Sequence, residues 1–243
     1  MKISVDTHAH TIASTHAFST IHDYLQVAKE RQLEAFTITD HGVAMPDSPH
    51  IYHFVNMKIF PRVMEGIVVF RGMEANILDA AGNLDVPDSL LDKLDLVIAS
   101  FHEPVISPTN KDDHTQALIG AIQSGKCQVI GHPGNPSYPF DYQAVIREAV
   151  KHNVAIEVNN SSFLESRHGS EPNCLGILKV VKELGCMVSV GSDSHISYQL
   201  GDFTKSIEAI NKVGIDSSRI VNLNLNSFKH FLTFHNKSVV AAL

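Results

Sequence analysis

The sequence predicts an α/β protein, a parallel sheet covered by helices. Three observations point there. Seven short apolar runs alternate with segments of helical spacing along the 243 residues, the pattern of successive β-α units. Runs such as "VVF", "LVIA" and "VAIEV" are apolar without alternation, as in strands buried on both faces. Every run is followed closely by a histidine, an acid or an asparagine, and the C-terminal ends of parallel strands are where such folds build their sites.

The elements follow in order. "KISV" at residues 2–5 is the first strand. A helix follows, with Ile21, Tyr24, Leu25, Ala28 and Leu33 near helical spacing and Ser19 or Thr20 as its cap. The second strand is 35–39, the third 66–72 and the fourth 94–100. The next helix is capped near Asp112 or Asp113 and stops at Gly125; strand five is 127–131. Asp141 caps another helix, and strand six is 154–159. A helix from Asn173 ends at Gly185 before strand seven at 186–192. Two more helical patterns lie at 203–212 and 226–234. Periodicity leaves an open doubly wound sheet and a closed barrel as alternatives. No G-x-G-x-x-G follows the first strand, which removes the main support for a dinucleotide-binding open sheet.

Composition narrows the class. The chain is 44% hydrophobic and 19% charged, ordinary for a folded soluble protein. No repeat or long linker divides it, so residues 1–243 read as one domain. A formal net charge of −7 argues against nucleic acid or an anionic membrane as partner. No apolar run approaches a membrane span and no signal peptide is visible. Cys127, Cys174 and Cys186 form no C-x-x-C pair, which suggests a reducing compartment, the cytoplasm, with Cys127 and Cys186 as buried structural thiols.

The 15 histidines need care, because about one His-x-His pair is expected by chance among them. Position decides. Asp6, His8 and His10 follow the first strand, Asp40 and His41 the second, and Glu74 the third. His102 follows the fourth, His132 the fifth, Asn159 and Asn160 the sixth, and Asp193 with His195 the seventh. Residues two apart on a strand share a face, so His8 pairs with His10 and Asp193 with His195. With His16 the set is seven imidazoles and two carboxylates. At three protein ligands per catalytic ion, that is enough for about three metals. Imidazole and carboxylate without thiolate suit zinc, and also manganese or iron. Three divalent ions less two carboxylates leave a local charge near about +4, which favours an anionic substrate.

His8-x-His10, His16, "TDH" at 39–41, Glu74, His102, "GHP" at 131–133 and "SDSH" at 192–195 resemble the polymerase and histidinol phosphatase (PHP) domain superfamily. Order and spacing are similar to its small stand-alone bacterial phosphatases of the YcdX type, over roughly residues 3–232. The resemblance implies a distorted (β/α)7 barrel and a trinuclear centre. It implies that His8 and His10 share a metal with Asp193, that Glu74 bridges it to one on His102 and His132, and that His16, His41 and His195 hold the third. It also implies a homo-oligomer, a trimer.

Beside these ligands, Asp6 is expected either to orient an imidazole or to be satisfied by backbone, and Asp40 similarly. Arg167, in the loop after the sixth strand, is the cation suited to a phosphate, with Asn159 as a second substrate contact and Arg71 as another nearby cation. His22, His50, His53, His114, His152, His168, His230 and His235 read mostly as surface residues, with His168 near enough to Arg167 to reach the site. The loop "GNPSYPF" at 134–140 reads as rigid. The expected activity is hydrolysis of a small phosphate ester by a metal-bound hydroxide. An amidohydrolase-like metal hydrolase is the alternative, but the lysine such sites often use is missing from the strand ends. A non-catalytic metal-binding module is the third reading.

Overall fold

The computed structural model describes residues 1–164 and 166–237. Its first half contains β1 (Val5–Asp6), α1 (Ile21–Glu30), β2 (Ala35–Ile38), α2 (Ile51–Asn56), β3 (Val63–Met64), β4 (Ile67–Asn76), α3 (Asp88–Leu91) and β5 (Leu96–Ser100). Then come α4 (Lys111–Gln123), β6 (Val129–Ile130), α5 (Tyr142–His152), β7 (Ala155–Asn159), α6 (Ser170–Leu184), β8 (Val188–Gly191), α7 (Thr204–Val213) and α8 (Leu225–Phe234). Seven strands pair in parallel in the order β1-β2-β4-β5-β6-β7-β8. The sheet curls until its two ends meet, giving a distorted (β/α)7 barrel.

β4 is the longest strand and shows why the sheet curls. Its residues 68–71 pair with β2, and its residues 72–76 pair with β5. Each neighbour is therefore displaced along the strand direction, the stagger a barrel needs to close. This carries β4 past its expected end at residue 72, so Glu74 stands inside the strand rather than beyond it. β3 was not foreseen. It turns back onto β4 through Glu65 and Gly66, both at positive φ (54° and 86°), as a two-residue hairpin requires.

Helix boundaries follow local chemistry. Thr20 caps α1 in a capping box with Asp23, and Asp141 caps α5. α4 begins earlier than expected, because Asn110 accepts from the backbone of Asp112 and Asp113. α6 begins at Ser170, three residues early; Pro172 in its first turn lacks only an N–H that would go unpaired there. α2 and α3, of six and four residues, are too short for a periodic signal.

β1 and β8 do not form a continuous ladder, and their seam is sealed by other groups. The buried Asn222 side chain donates to Val5 and Val190 carbonyls, both at 2.7 Å, and accepts from Val190 N–H at 2.9 Å. Past the strands, Ala9 and Ser194 form a parallel bridge. Two apolar layers fill the molecule. The larger lies between sheet and helices. The smaller joins alternate strand residues such as Val68, Phe70, Leu96 and Ile98 to Phe228, Phe231 and Leu232 of α8. α8 thus plugs one end of the barrel, with the Phe70 and Phe228 rings edge-on at 4.9 Å. Cys127 and Cys186 are buried as expected, and burial pushes the Cys127 thiol up to about 12. Among the described residues no helix is long and apolar enough to cross a membrane.

Candidate metal centre

The loops past the strands are held by carboxylates that do not themselves face the centre. Asp6 accepts from three backbone N–H groups, those of His8 (3.2 Å), Ser192 (3.0 Å) and Gly201 (2.7 Å). It orients no imidazole, so of the two roles expected for it the backbone one is realised. Asp40 accepts from Thr11 N–H, the hydroxyls of Thr11 and Ser14, and His53 Nε2 at 2.8–2.9 Å. His10 N–H donates to Ser194 and Asp193 N–H to His8, which locks the two ligand-bearing segments side by side.

The structure brings all nine candidate ligands around one point. His8 Nε2 and His10 Nε2 lie 3.0 Å apart, and Asp193 Oδ1 is 3.5 and 3.3 Å from them. Glu74 Oε2 is 3.4 and 3.5 Å from the same two nitrogens. Ligands about 2.0–2.1 Å from a tetrahedral ion lie about 3.3 Å from one another. The His8, His10 and Asp193 atoms therefore fit a divalent ion, with Glu74 Oε2 at a similar distance from both imidazoles. The other oxygen of Glu74, Oε1, is 2.7 Å from His132 Nε2 and 3.3 Å from His102 Nε2. Its two oxygens thus face two separate pairs of imidazoles.

The remaining ligands group differently from the resemblance. His41 and His195 gather with His10, and His16 and His41 gather with Asp47. His16 and His195 rings stack at 4.5 Å, but the His16 Nδ1 is turned to Asp47. His16 sits at the rim of the cleft, where its half-exposed ring takes the nearest carboxylate. Buried ring nitrogens without hydrogen-bond partners remain on His10, His41 and His102. His41 Nδ1 is 3.0 Å from Glu74 Oε2 yet off hydrogen-bond alignment. An unpartnered buried polar atom costs roughly 1–3 kcal/mol. Several cations bound side by side could take them, whereas a single ion cannot, since both nitrogens of His41 are among them.

Electrostatics concentrate at the same point. Burial opposes charge on His8, but Glu157, Asp193 and Glu74 outweigh it and push its pKa well above the usual value. Burial opposes charge on Glu74 too, but His102 and His8 hold its carboxyl well below the usual range. For Asp193, His8 and Arg167 overcome burial in the same sense. Burial, with Arg167 nearby, lowers His132 to about 4. His132 and Asp193 also have positive φ, 28° and 57°. Backbone strain of that kind collects at functional sites.

The centre opens into a cleft of about 390 Å3, lined by His16, His41, Met45, His102, Ser161, Ser166, Arg167, Asp193, His195 and Gln199. A larger, shallower groove of about 770 Å3, lined by Met1, Gln32 and Asn224 among others, contains none of the nine. Arg167 reaches the cleft and donates to Asp193 Oδ2 at 3.0 Å. Asn159 does not open to it. That side chain is buried and engaged with Glu157 (3.2 Å), Asp193 (3.1 Å) and Ser162 N–H (3.1 Å), so it supports Asp193. Arg71 points away and donates to the carbonyls of Lys58 and Phe60. His114 is buried, not on the surface, and bonds Thr109 and Pro139. The loop at 134–140 is pinned by Tyr138, stacked on Phe101 at 4.6 Å with its hydroxyl on Ile106.

Three partners of the ligands, and one of the bracing carboxylate Asp40, escaped the sequence reading. Glu157 Oε1 lies 2.6 Å from His8 Nδ1, Asn76 Oδ1 lies 2.7 Å from His102 Nδ1, Asp47 meets His16, and His53 braces Asp40. Glu157 sat in an apolar run read only as a buried strand. A single acid two residues before the end of such a run was the available signal.

The family model of the PHP domain matches residues 6–167. The chain belongs to the PHP domain family. Relatives of this PHP protein named "Probable phosphatase" occur in Shewanella piezotolerans and Shewanella loihica. Each is 53% identical over 96% of this chain and 94% of its own length. Among solved structures, histidinol phosphate phosphatase of Lactococcus lactis, complexed with zinc, L-histidinol and phosphate, superposes with a TM-score of 0.62. It is 16% identical, over 89% of this chain and 95% of that one. A chain of an archaeal ribonuclease P reaches 0.58 at 13% identity, covering 96% and 91%. One fold therefore appears in two different settings, so the function must be argued from the site.

Proposed function

We propose that this PHP protein is a metal-dependent phosphatase with a trinuclear centre, hydrolysing a small phosphate monoester. The observation that carries the proposal is the arrangement around Glu74. Its two oxygens face His8 with His10 on one side and His102 with His132 on the other; the His8, His10 and His102 nitrogens stand at ligand-to-ligand spacings suited to zinc, and His132 Nε2 is at hydrogen-bond distance. The names of the relatives point the same way. His8, His10, Asp193 and Glu74 would hold one ion, Glu74, His102 and His132 a second, and His41 and His195 a third, with His16 turning from Asp47 to join them. When bound, such ions make water acidic enough to attack at neutral pH and neutralise charge on the phosphoryl oxygens.

The protein's own residues supply position and selectivity. Arg167 is set by Asp193 at the cleft wall, where its guanidinium can take a phosphate oxygen. Ser161, Ser166, Met45 and Gln199 surround the space left for the alcohol portion. At about 390 Å3 the cleft lies toward the small end of ligand pockets, which suits a metabolite-sized ester. The test is phosphate release from a panel of monoesters and diesters by zinc- or manganese-loaded protein. Monoesters should turn over, and Asp193→Ala and His41→Ala should each lose at least about 100-fold, as removal of groups acting in one unit does. Metal-replete protein inert on every monoester, or release that persists in both variants, would refute the proposal.

A further inference from the structure

We infer that Glu157 is a positioning residue that sets how two separate ions are held, an inference that rests on the metal-centre reading above. Ala155, Glu157 and Asn159 share one face of β7. Glu157 is buried directly beneath the ligands. Its Oε1 accepts from His8 Nδ1–H at 2.6 Å. Its Oε2 accepts from the backbone N–H of His132 at 2.7 Å and from Asn159 Nδ2 at 3.2 Å. His8 belongs to one side of the Glu74 bridge and His132 to the other. One side chain therefore fixes a ring on the first ion and the strained backbone of a ligand on the second.

The neighbouring strand is shaped to admit this contact. A Cβ at Gly191 would lie 2.5 Å from Glu157 Oε1 and 2.6 Å from His8 Cβ. Only glycine lets the carboxylate and the imidazole close on each other there. The chemistry explains why a carboxylate is needed. With Nδ1–H given to Glu157, the nitrogen His8 can offer to an ion is Nε2, the atom facing His10, Asp193 and Glu74. Donors approach both oxygens of Glu157. Glutamine offers one oxygen, so it cannot accept on both sides. With its oxygen at His132, its amide hydrogens meet His8 Nδ1, and the ring hydrogen is driven onto the metal-facing nitrogen. Asp47 differs, because its side-chain bond is to His16 at the rim and its neighbours His16 and His41 lie on one side of the centre.

The experiment is zinc titration of chelator-stripped wild type, Glu157→Gln and Asp47→Asn against a chromophoric competitor, with circular dichroism as the check on folding. Outer partners of metal-bound histidines typically change affinity by roughly 10–100-fold. Glu157→Gln should weaken two ions by that factor and leave the third, whereas Asp47→Asn should weaken one. Glu157→Gln protein binding every ion as wild type does, or losing only one, overturns the inference. Wild type that takes up no zinc overturns the metal reading itself. Should Glu157→Gln not fold, nitrogen-15 NMR of zinc-loaded wild type decides: His8 should carry its hydrogen on Nδ1 and bind zinc through Nε2. Zinc on His8 Nδ1 would overturn the inference.

Discussion

Arg167 is paired with Asp193, the carboxylate that also approaches His8 and His10. It contributes no ligand atom, so its removal should spare the ions and tax the substrate. Arg167→Ala is expected to lower kcat/KM about 10-fold or more, the worth of a charge-assisted hydrogen bond of ~1.5–3 kcal/mol. Its metal content should stay at the wild-type level. Steady-state kinetics with parallel elemental analysis checks this, and unchanged kinetics would make Arg167 a surface residue. Eight of the nine ligand candidates were readable because each stands at or near a strand's C-terminal end; His16, ten residues past β1, came from its place behind the His8/His10 pair. The partners of these ligands were not readable. Glu157, Asn76 and Asp47 meet their histidines across 149, 26 and 31 residues. No local spacing encodes such pairs. Asn159 misled because a strand-end asparagine looks open from the sequence, while in the fold Asp193, Glu157 and Ser162 surround it.

Among the elements, the seam between β1 and β8 tests how the barrel is held. Asn222 satisfies strand groups of both that would otherwise be buried without partners. Asn222→Ala should cost about 2–3 kcal/mol. At roughly 2–4 °C per kcal/mol for a chain of this size, Tm should fall by about 5–10 °C in a thermal melt. A change within about 1 °C would mean that water or backbone closes the seam equally well. Strand and long-helix positions were legible because period and capping are local. The β3–β4 hairpin escaped notice because its strand β3 has two residues. α8 was visible as a helix, but its role as the barrel's plug was not. That role depends on Phe228, Phe231 and Leu232 meeting residues of β1, β2, β4, β5, β6 and β7, contacts made only once the sheet has curled.

At the scale of the whole molecule, an acidic chain of net charge −7 gathers seven imidazoles and only two of its carboxylates at one end of a barrel as candidate ligands. Bound divalent ions would make that end locally positive and draw an anionic ester to it. The alternation of strands and helices was readable from the outset. Periodicity alone left closure open, since a parallel sheet can stay open with the same spacing; the family resemblance implied a closed barrel, and the stagger on β4 and the sealing by Asn222 show how it closes. The central claim is that the histidine-rich end holds several ions at once. Elemental analysis of protein purified without chelator and saturated with zinc tests it most directly. About three ions per chain are expected, from nine ligands at about three each, falling toward none as acid protonates the imidazoles. One ion or none at neutral pH would contradict the account.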